Sequence, residues 1–145
     1  MFFSCKIIVA KSNIDPLCGP KSLLAICKKY NISTTLDEIC DLTGYEEQFG
    51  TTMRGLYQAT NKKGLPAVPV ETELEQLCSI KTPSIAFVDG NHFLVIHGCK
   101  GDKITIQDPP APSYSIQKEV FVKRWNGVAL VFSESLKKQM TSQIV

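Results

Sequence analysis

Several features by which a chain announces its chemistry are scarce or missing here. There is no marked excess of one charge: 16 Lys and Arg against 14 Asp and Glu leave +2, whereas a dedicated nucleic-acid surface needs a strong basic surplus. No apolar run approaches the ~20 residues that a membrane helix requires. The opening Met1-Phe2-Phe3-Ser4-Cys5-Lys6 lacks the basic start and long apolar region of a secretory signal, so a cytoplasmic location is expected, for a free domain or for part of something larger. The six cysteines, at 5, 18, 27, 40, 78 and 99, include no CxxC pair, which speaks against zinc; no metal and no cofactor are expected. An even number permits disulfides, but 145 residues can enclose a core without them. Cys27, Cys40 and Cys78 fall within helical patterns and are expected in the core. Repeats and low-complexity segments are absent, and histidine occurs twice, at 92 and 97.

What the chain does have is Pro16-Leu17-Cys18-Gly19-Pro20, followed by an apolar run with Leu23, Leu24, Cys27 and Tyr30 at helical spacing. Pro20 suits a first helical turn, where an amide proton has no partner. Cys18 therefore falls at a helix N-terminus, where the dipole and free N–H groups favour a thiolate. A thiolate is what a cysteine needs to act as a nucleophile at neutral pH. Taken alone, Cys18 reads better as a buried structural cysteine; what changes the reading is the company it keeps further along the chain.

The first helix is expected over about 18–30. Thr35-Leu36-Asp37-Glu38 reads as a capping box that opens a second, short helix ending near Gly44. Thr52 caps a third, about 53–63, with Gly64 at its end. Residues 65–70, with two prolines, read as an edge strand, and 72–78 as a helical turn. Strands follow at 84–88, 92–97 and 103–107, with Asp89-Gly90 as a turn between the first two. A short helix is expected over 117–125 and a last buried strand over 127–132. Residues 134–145 read as a polar tail or linker. Helices first and antiparallel strands later make an α+β domain over 1–133.

The two histidines, five apart, are expected on opposite faces of one strand. If the next turn centres on Lys100, facing residue numbers sum to 200, and His92 lies across from Asp108, within about 5 Å between Cβ atoms. That couple would be the base and orienter of a catalytic triad, with Cys18 as the nucleophile. Each residue also has a plainer reading: His92 exposed beside a turn, Asp108 as Asp-Pro turn chemistry, Cys18 as a buried cap. His97, among apolar neighbours, is expected to be a packed or edge histidine.

These residues resemble the C39 peptidases, papain-like cysteine peptidase domains found at the N-terminus of bacteriocin-exporting ABC transporters. The likeness covers about residues 10–133. It rests on Cys18-Gly19-Pro20 opening a helix, the Leu-Asp-Glu-Ile segment after that helix, Gly50-Thr51-Thr52, Asn91-His92-Phe93-Leu94-Val95-Ile96, Ile106-Gln107-Asp108-Pro109 and Trp125-Asn126-Gly127. The resemblance implies a papain-like fold, N-terminal helices packed on a C-terminal antiparallel sheet. It implies cleavage of leader peptides after a double glycine, coupled to export, with Cys18, His92 and Asp108 as the triad. The partners it implies are a double-glycine leader peptide and the membrane and nucleotide-binding domains of an ABC transporter, at the cytoplasmic face of the membrane; no nucleic acid is expected. One departure stands out. The family's glutamine six residues before the cysteine, an oxyanion donor, is Ser12 here; Asn13 is the candidate replacement, and the acidic residue often preceding the cysteine is Leu17. Losing one such donor costs about 10²–10³ in rate. Two other readings are therefore carried: a weak or inactive domain that binds leader or export substrates, and acyl transfer to an amine.

Overall fold

The structure, a computed structural model, describes residues 15–144. Ser12, Asn13 and the 6–10 stretch, expected as a strand or apolar arm, lie outside those residues. Three helices come first: α1 (Cys18–Lys29), α2 (Leu36–Thr43) and α3 (Met53–Lys62). Then follow β1 (Ala67–Glu71), α4 (Leu74–Ser79), β2 (Ser84–Val88), β3 (His92–Lys100), β4 (Lys103–Gln107), β5 (Tyr114–Gln117), α5 (Lys118–Val122), β6 (Trp125–Phe132) and α6 (Glu134–Ile144). The strands form one antiparallel sheet in the order β1-β6-β2-β3-β4-β5. This is the papain-like α+β arrangement, with the early helices packed on the later sheet.

Local chemistry starts the helices where the sequence places them. Thr35 Oγ1 accepts the Glu38 N–H at 3.1 Å, and Thr52 Oγ1 accepts the Gly55 N–H at 2.9 Å; each cap satisfies an amide that the helix cannot. The reciprocal half of the first capping box gives way to longer-range partners. The Glu38 carboxylate accepts from Thr34 Oγ1 at 2.6 Å and meets Lys63 Nζ at 2.8 Å, which ties the start of α2 to the end of α3.

The three central strands are apolar on both faces because both faces are covered. Ile85, Phe93, Val95, Leu130 and Phe132 pack under α1 and α3 with Leu23, Ile26 and Leu56. Their neighbours Ala86, Val88, Leu94, Ile96, Ala129 and Val131 pack on the other side with Leu77, Phe121 and Trp125. Continuous apolar runs, rather than alternation, are what such double burial demands.

One strand is added and three expectations are corrected. Residues 114–117 form a strand, β5, pairing Ile106 with Tyr114 and Lys103 with Gln117. Residues 134–144, expected as a tail or linker, are helical; Lys137 Nζ of α6 donates to Tyr57 Oη at 3.1 Å, Asn61 Oδ1 at 3.2 Å and the Ala67 carbonyl at 3.1 Å. Cys78 is no free core thiol: it is disulfide-bonded to Cys99, joining α4 to β3. Finally, the β3–β4 turn lies at Gly101-Asp102, so that Lys100 faces Lys103 and Cys99 faces Ile104. A register shift between Ile96 and Gly98 then moves the pairing to Ile96 with Ile106 and Val95 with Gln107, where the ladder ends. Asp108 is past the last rung, and the expected cross-strand pairing with His92 does not exist.

Candidate active site

α1 begins at Cys18 itself. Its N-cap, Leu17, offers no side-chain acceptor, so the positive field of the helix start acts on the thiol. The turn before it is built by Asp15: the Cys18 N–H donates to the Asp15 carbonyl at 3.0 Å and the Leu17 N–H to Asp15 Oδ1 at 2.9 Å. Lys21 Nζ donates to Asp15 Oδ2 at 2.8 Å. Burial pushes the Asp15 carboxyl up, but Lys21 and the Leu17 amide outweigh it and hold it below the ordinary range. Gly19 is required by close approach. A Cβ there would stand 2.4 Å from Thr51 Cγ2 and 3.3 Å from Phe93 Cδ2, so the helix tip can seat against the 50–51 loop and β3 only without a side chain.

β3 delivers the imidazole. The β2–β3 connection turns at Asp89 (φ +56°) and Gly90 (φ +73°), left-handed values that a tight hairpin requires at both positions. Arg124 braces that turn, donating from Nη2 to Asp89 Oδ2 at 2.9 Å and from Nε to Oδ1 at 3.1 Å, while the Asp89 N–H donates to the Arg124 carbonyl at 2.8 Å. The guanidinium holds the Asp89 carboxyl below its usual range. His92 then opens β3, and its Nε2 bonds Asp108 Oδ1. With Nε2 committed, Nδ1 is the nitrogen that faces Cys18. The next backbone amide, Phe93 N–H, donates to Cys18 Sγ at 3.3 Å.

This setting changes the imidazole. Its hydrogen bond to Cys18, supported by Asp108 and opposed by burial, raises the His92 pKa from 6.5 to about 9. His92 is thus an imidazolium at neutral pH, held between a sulfur and a carboxylate. Burial pushes the other two free thiols described, Cys27 and Cys40, up and away from reactivity.

Cys18, His92 and Asp108 open into one cleft of about 460 Å³, shared with Asp15, Asp89 and Asn91. A second cleft of about 400 Å³ continues from Cys18 past Gly50 and Thr51 to Phe87 and Phe93. Phe49 stands at its rim, 69% exposed. Chemically, the set can form a thiolate, protonate a leaving amine, and seat an extended chain across the sulfur. Sequence reasoning missed Asp15, whose bonds are local but carry no motif, and the pairing of Asp89 with Arg124, which is tertiary; Asp89-Gly90 signals only a turn. It also missed the surroundings of His97. That ring is not packed among apolar side chains: Lys29 Nζ lies 3.0 Å from its Nδ1 and Gln107 Oε1 lies 2.7 Å from its Nε2.

Comparison with known proteins points to one family. The model of the peptidase C39 family matches residues 6–137. An uncharacterized protein of Methanothermobacter thermautotrophicus is 32% identical over 114 residues, 79% of this chain and 80% of that protein. The lactococcin-G-processing and transport ATP-binding protein of Lactococcus lactis is 30% identical over 131 residues, 86% of this chain but 18% of its own length. Among solved structures, a double glycine motif protease from an AMS/PCAT transporter, in complex with the leader peptide, superposes with a TM-score of 0.76 at 27% identity, covering 83% of this chain and 86% of that one. The peptidase domain of Streptococcus ComA, at 24% identity and a TM-score of 0.72, shares the fold, covering 83% of this chain and 94% of its own. With a matching family model that runs from before α1 to the start of α6, the chain belongs to the peptidase C39 family.

Proposed function

We propose that this C39 domain is a cysteine endopeptidase that cleaves a leader peptide after its double glycine, with Cys18 as nucleophile, His92 as acid and base, and Asp108 as orienter. The observation that supports it most is the convergence of one sulfur, one imidazole and one carboxylate on a single cleft. The Cys18 thiolate adds to the scissile carbonyl carbon. The His92 imidazolium then gives its proton to the leaving amine as the C–N bond breaks, leaving a thioester. Neutral His92 next takes a proton from water, the hydroxyl adds to the thioester, and the thiolate departs. Asp108 keeps the ring in the orientation that points Nδ1 at the sulfur. Asn13 is the proposed donor to the oxyanion, in place of the family's glutamine. The Phe49-Phe87-Phe93 wall beside Gly50 supports a substrate that is slim at the bond and apolar alongside it. The relatives' names support a setting beside the membrane and nucleotide-binding domains of an ABC transporter, at the cytoplasmic face; among the described residues no helix is long and apolar enough to cross a membrane.

The test is a synthetic double-glycine leader peptide incubated with the protein, with products read by mass spectrometry. Cleavage after the second glycine in the wild type and none in Cys18→Ala is the expected result. Iodoacetamide at mildly acidic pH should label Cys18 ahead of the other free thiols. Binding that survives Cys18→Ala, with no wild-type cleavage, would instead identify a binding-only domain. A product extended by an added amine would identify acyl transfer.

A further inference from the structure

The second histidine is held in a directional chain of hydrogen bonds that ends behind the first. The Lys29 ammonium can only donate, so His97 Nδ1 accepts at 3.0 Å. The ring proton therefore sits on Nε2, which donates to Gln107 Oε1 at 2.7 Å. That fixes the carboxamide, leaving Gln107 Nε2 to donate to the Ala111 carbonyl at 2.9 Å. The Ala111 N–H returns to the Asp108 carbonyl at 2.9 Å. One arrangement of hydrogen-bond donors and acceptors satisfies every link.

The place of this chain matters because the sheet offers no alternative support. The β3–β4 ladder ends with Val95 opposite Gln107, and β5 rejoins β4 only where Tyr114 faces Ile106. Between those rungs Asp108 and the residues after it have no strand partner. His97 itself falls in the register shift between Ile96 and Gly98, a bulge of the kind that re-aims a side chain beside a functional site.

We propose that His97 is a positioning residue: tied to Lys29 at the C-terminal end of α1 and to Gln107 at the end of β4, it holds the 107–111 segment so that the Asp108 carboxylate stays on His92. The role rests on the peptidase reading of Asp108. It gives α1 two duties, presenting the sulfur at one end and anchoring the orienter's segment at the other.

The experiment reads His92 directly. With two histidines in the chain, their imidazole NMR signals can be assigned by deletion, and in His97→Leu only His92 remains. The His92 titration is set by Cys18 on α1 and Asp108 after β4 against the cost of burial; the other charged groups that interact with the ring are Asp15 before α1 and Asp89 in the β2–β3 turn. Asp108→Ala should move the midpoint down. His97→Leu should move it in the same direction by a smaller amount, with kcat roughly tenfold lower and KM within about twofold. His97→Gln, which keeps one acceptor and one donor, should recover most of the rate. In an Asp108→Ala background, His97→Leu should add no further loss, the mark of two residues acting through one contact. Lys29→Met breaks the chain at the exposed helix end, away from the core, and should shift the midpoint in the same sense if His97→Leu does not fold. An unchanged His92 midpoint in a folded variant, or a kcat loss that adds in full to that of Asp108→Ala, overturns the proposal. Absence of wild-type cleavage overturns the peptidase reading instead, and the NMR midpoints then still decide the positioning role.

Discussion

His92 and His97 share one strand and touch opposite ends of one helix, but their partners carry opposite chemistry. His92 lies between a sulfur and a carboxylate, both of which favour its charged form. His97 lies between an ammonium, which can only donate, and a carboxamide oxygen. The surroundings of the first ring favour its protonated form; those of the second join the end of α1 to the end of β4. The ring type is the same, and what separates the two is the charge of the groups on either side.

That contrast can be broken or sharpened by experiment. The largest effect is expected from removing His92, the proposed acid and base. His92→Gln should lower the single-turnover rate by about 10²–10⁴, whereas His97→Gln should stay close to wild type; equal losses would erase the distinction. Next is pH. In the proposed mechanism His92 is charged when it protonates the leaving amine, so kcat/KM should fall as pH rises through about 9. Stability follows the same group. A pKa raised above 6.5 in the folded state contributes stability fully below pH 6.5, and that contribution is lost as pH rises through about 9. Melting temperatures across that window should decline in the wild type, least in Cys18→Ala, which removes the main cause of the shift, and less in Asp108→Ala. A smaller effect is expected at the turn that leads into β3. Arg124→Ala removes a partly exposed pair with Asp89 and should cost under about 1 kcal/mol of stability by chemical denaturation, with only a few-fold loss of rate. The smallest effect on rate concerns the far end of β3. Cys99→Ser opens the crosslink to Cys78, a separation of 21 residues, and should cost about 2–4 kcal/mol in denaturant melts. Its kcat/KM should match the wild type, since Cys99 lies at the end of the strand remote from His92.

How much the sequence disclosed depended on how local the cause was. Thr35 and Thr52 announce their helices because a cap is a matter of three or four residues. The central strands are legible because burial on both faces leaves unbroken apolar runs. β5 is not, since four residues with exposed Tyr114 and Ser115 look like any polar connection. α6 was hidden by its polarity: the contact that docks it, Lys137 on Tyr57, spans 80 positions. Cys18, His92 and Asp108 could be proposed as a set, but the register argument that joined the last two fails. The turn sits later than Lys100 and His97 interrupts the ladder, so the two side chains meet beyond the end of strand pairing. The braces around them, Asp89 with Arg124 and His97 with Lys29, join residues 35 and 68 positions apart, and no periodicity carries such information.

The missing side chain at Gly19 has a mechanical consequence. Because a methyl group there would collide with Thr51, the loop that walls the second cleft leans directly on the helical turn bearing the sulfur. A shift of the 50–51 loop is thereby passed to the turn that carries Cys18 with no compressible layer in between.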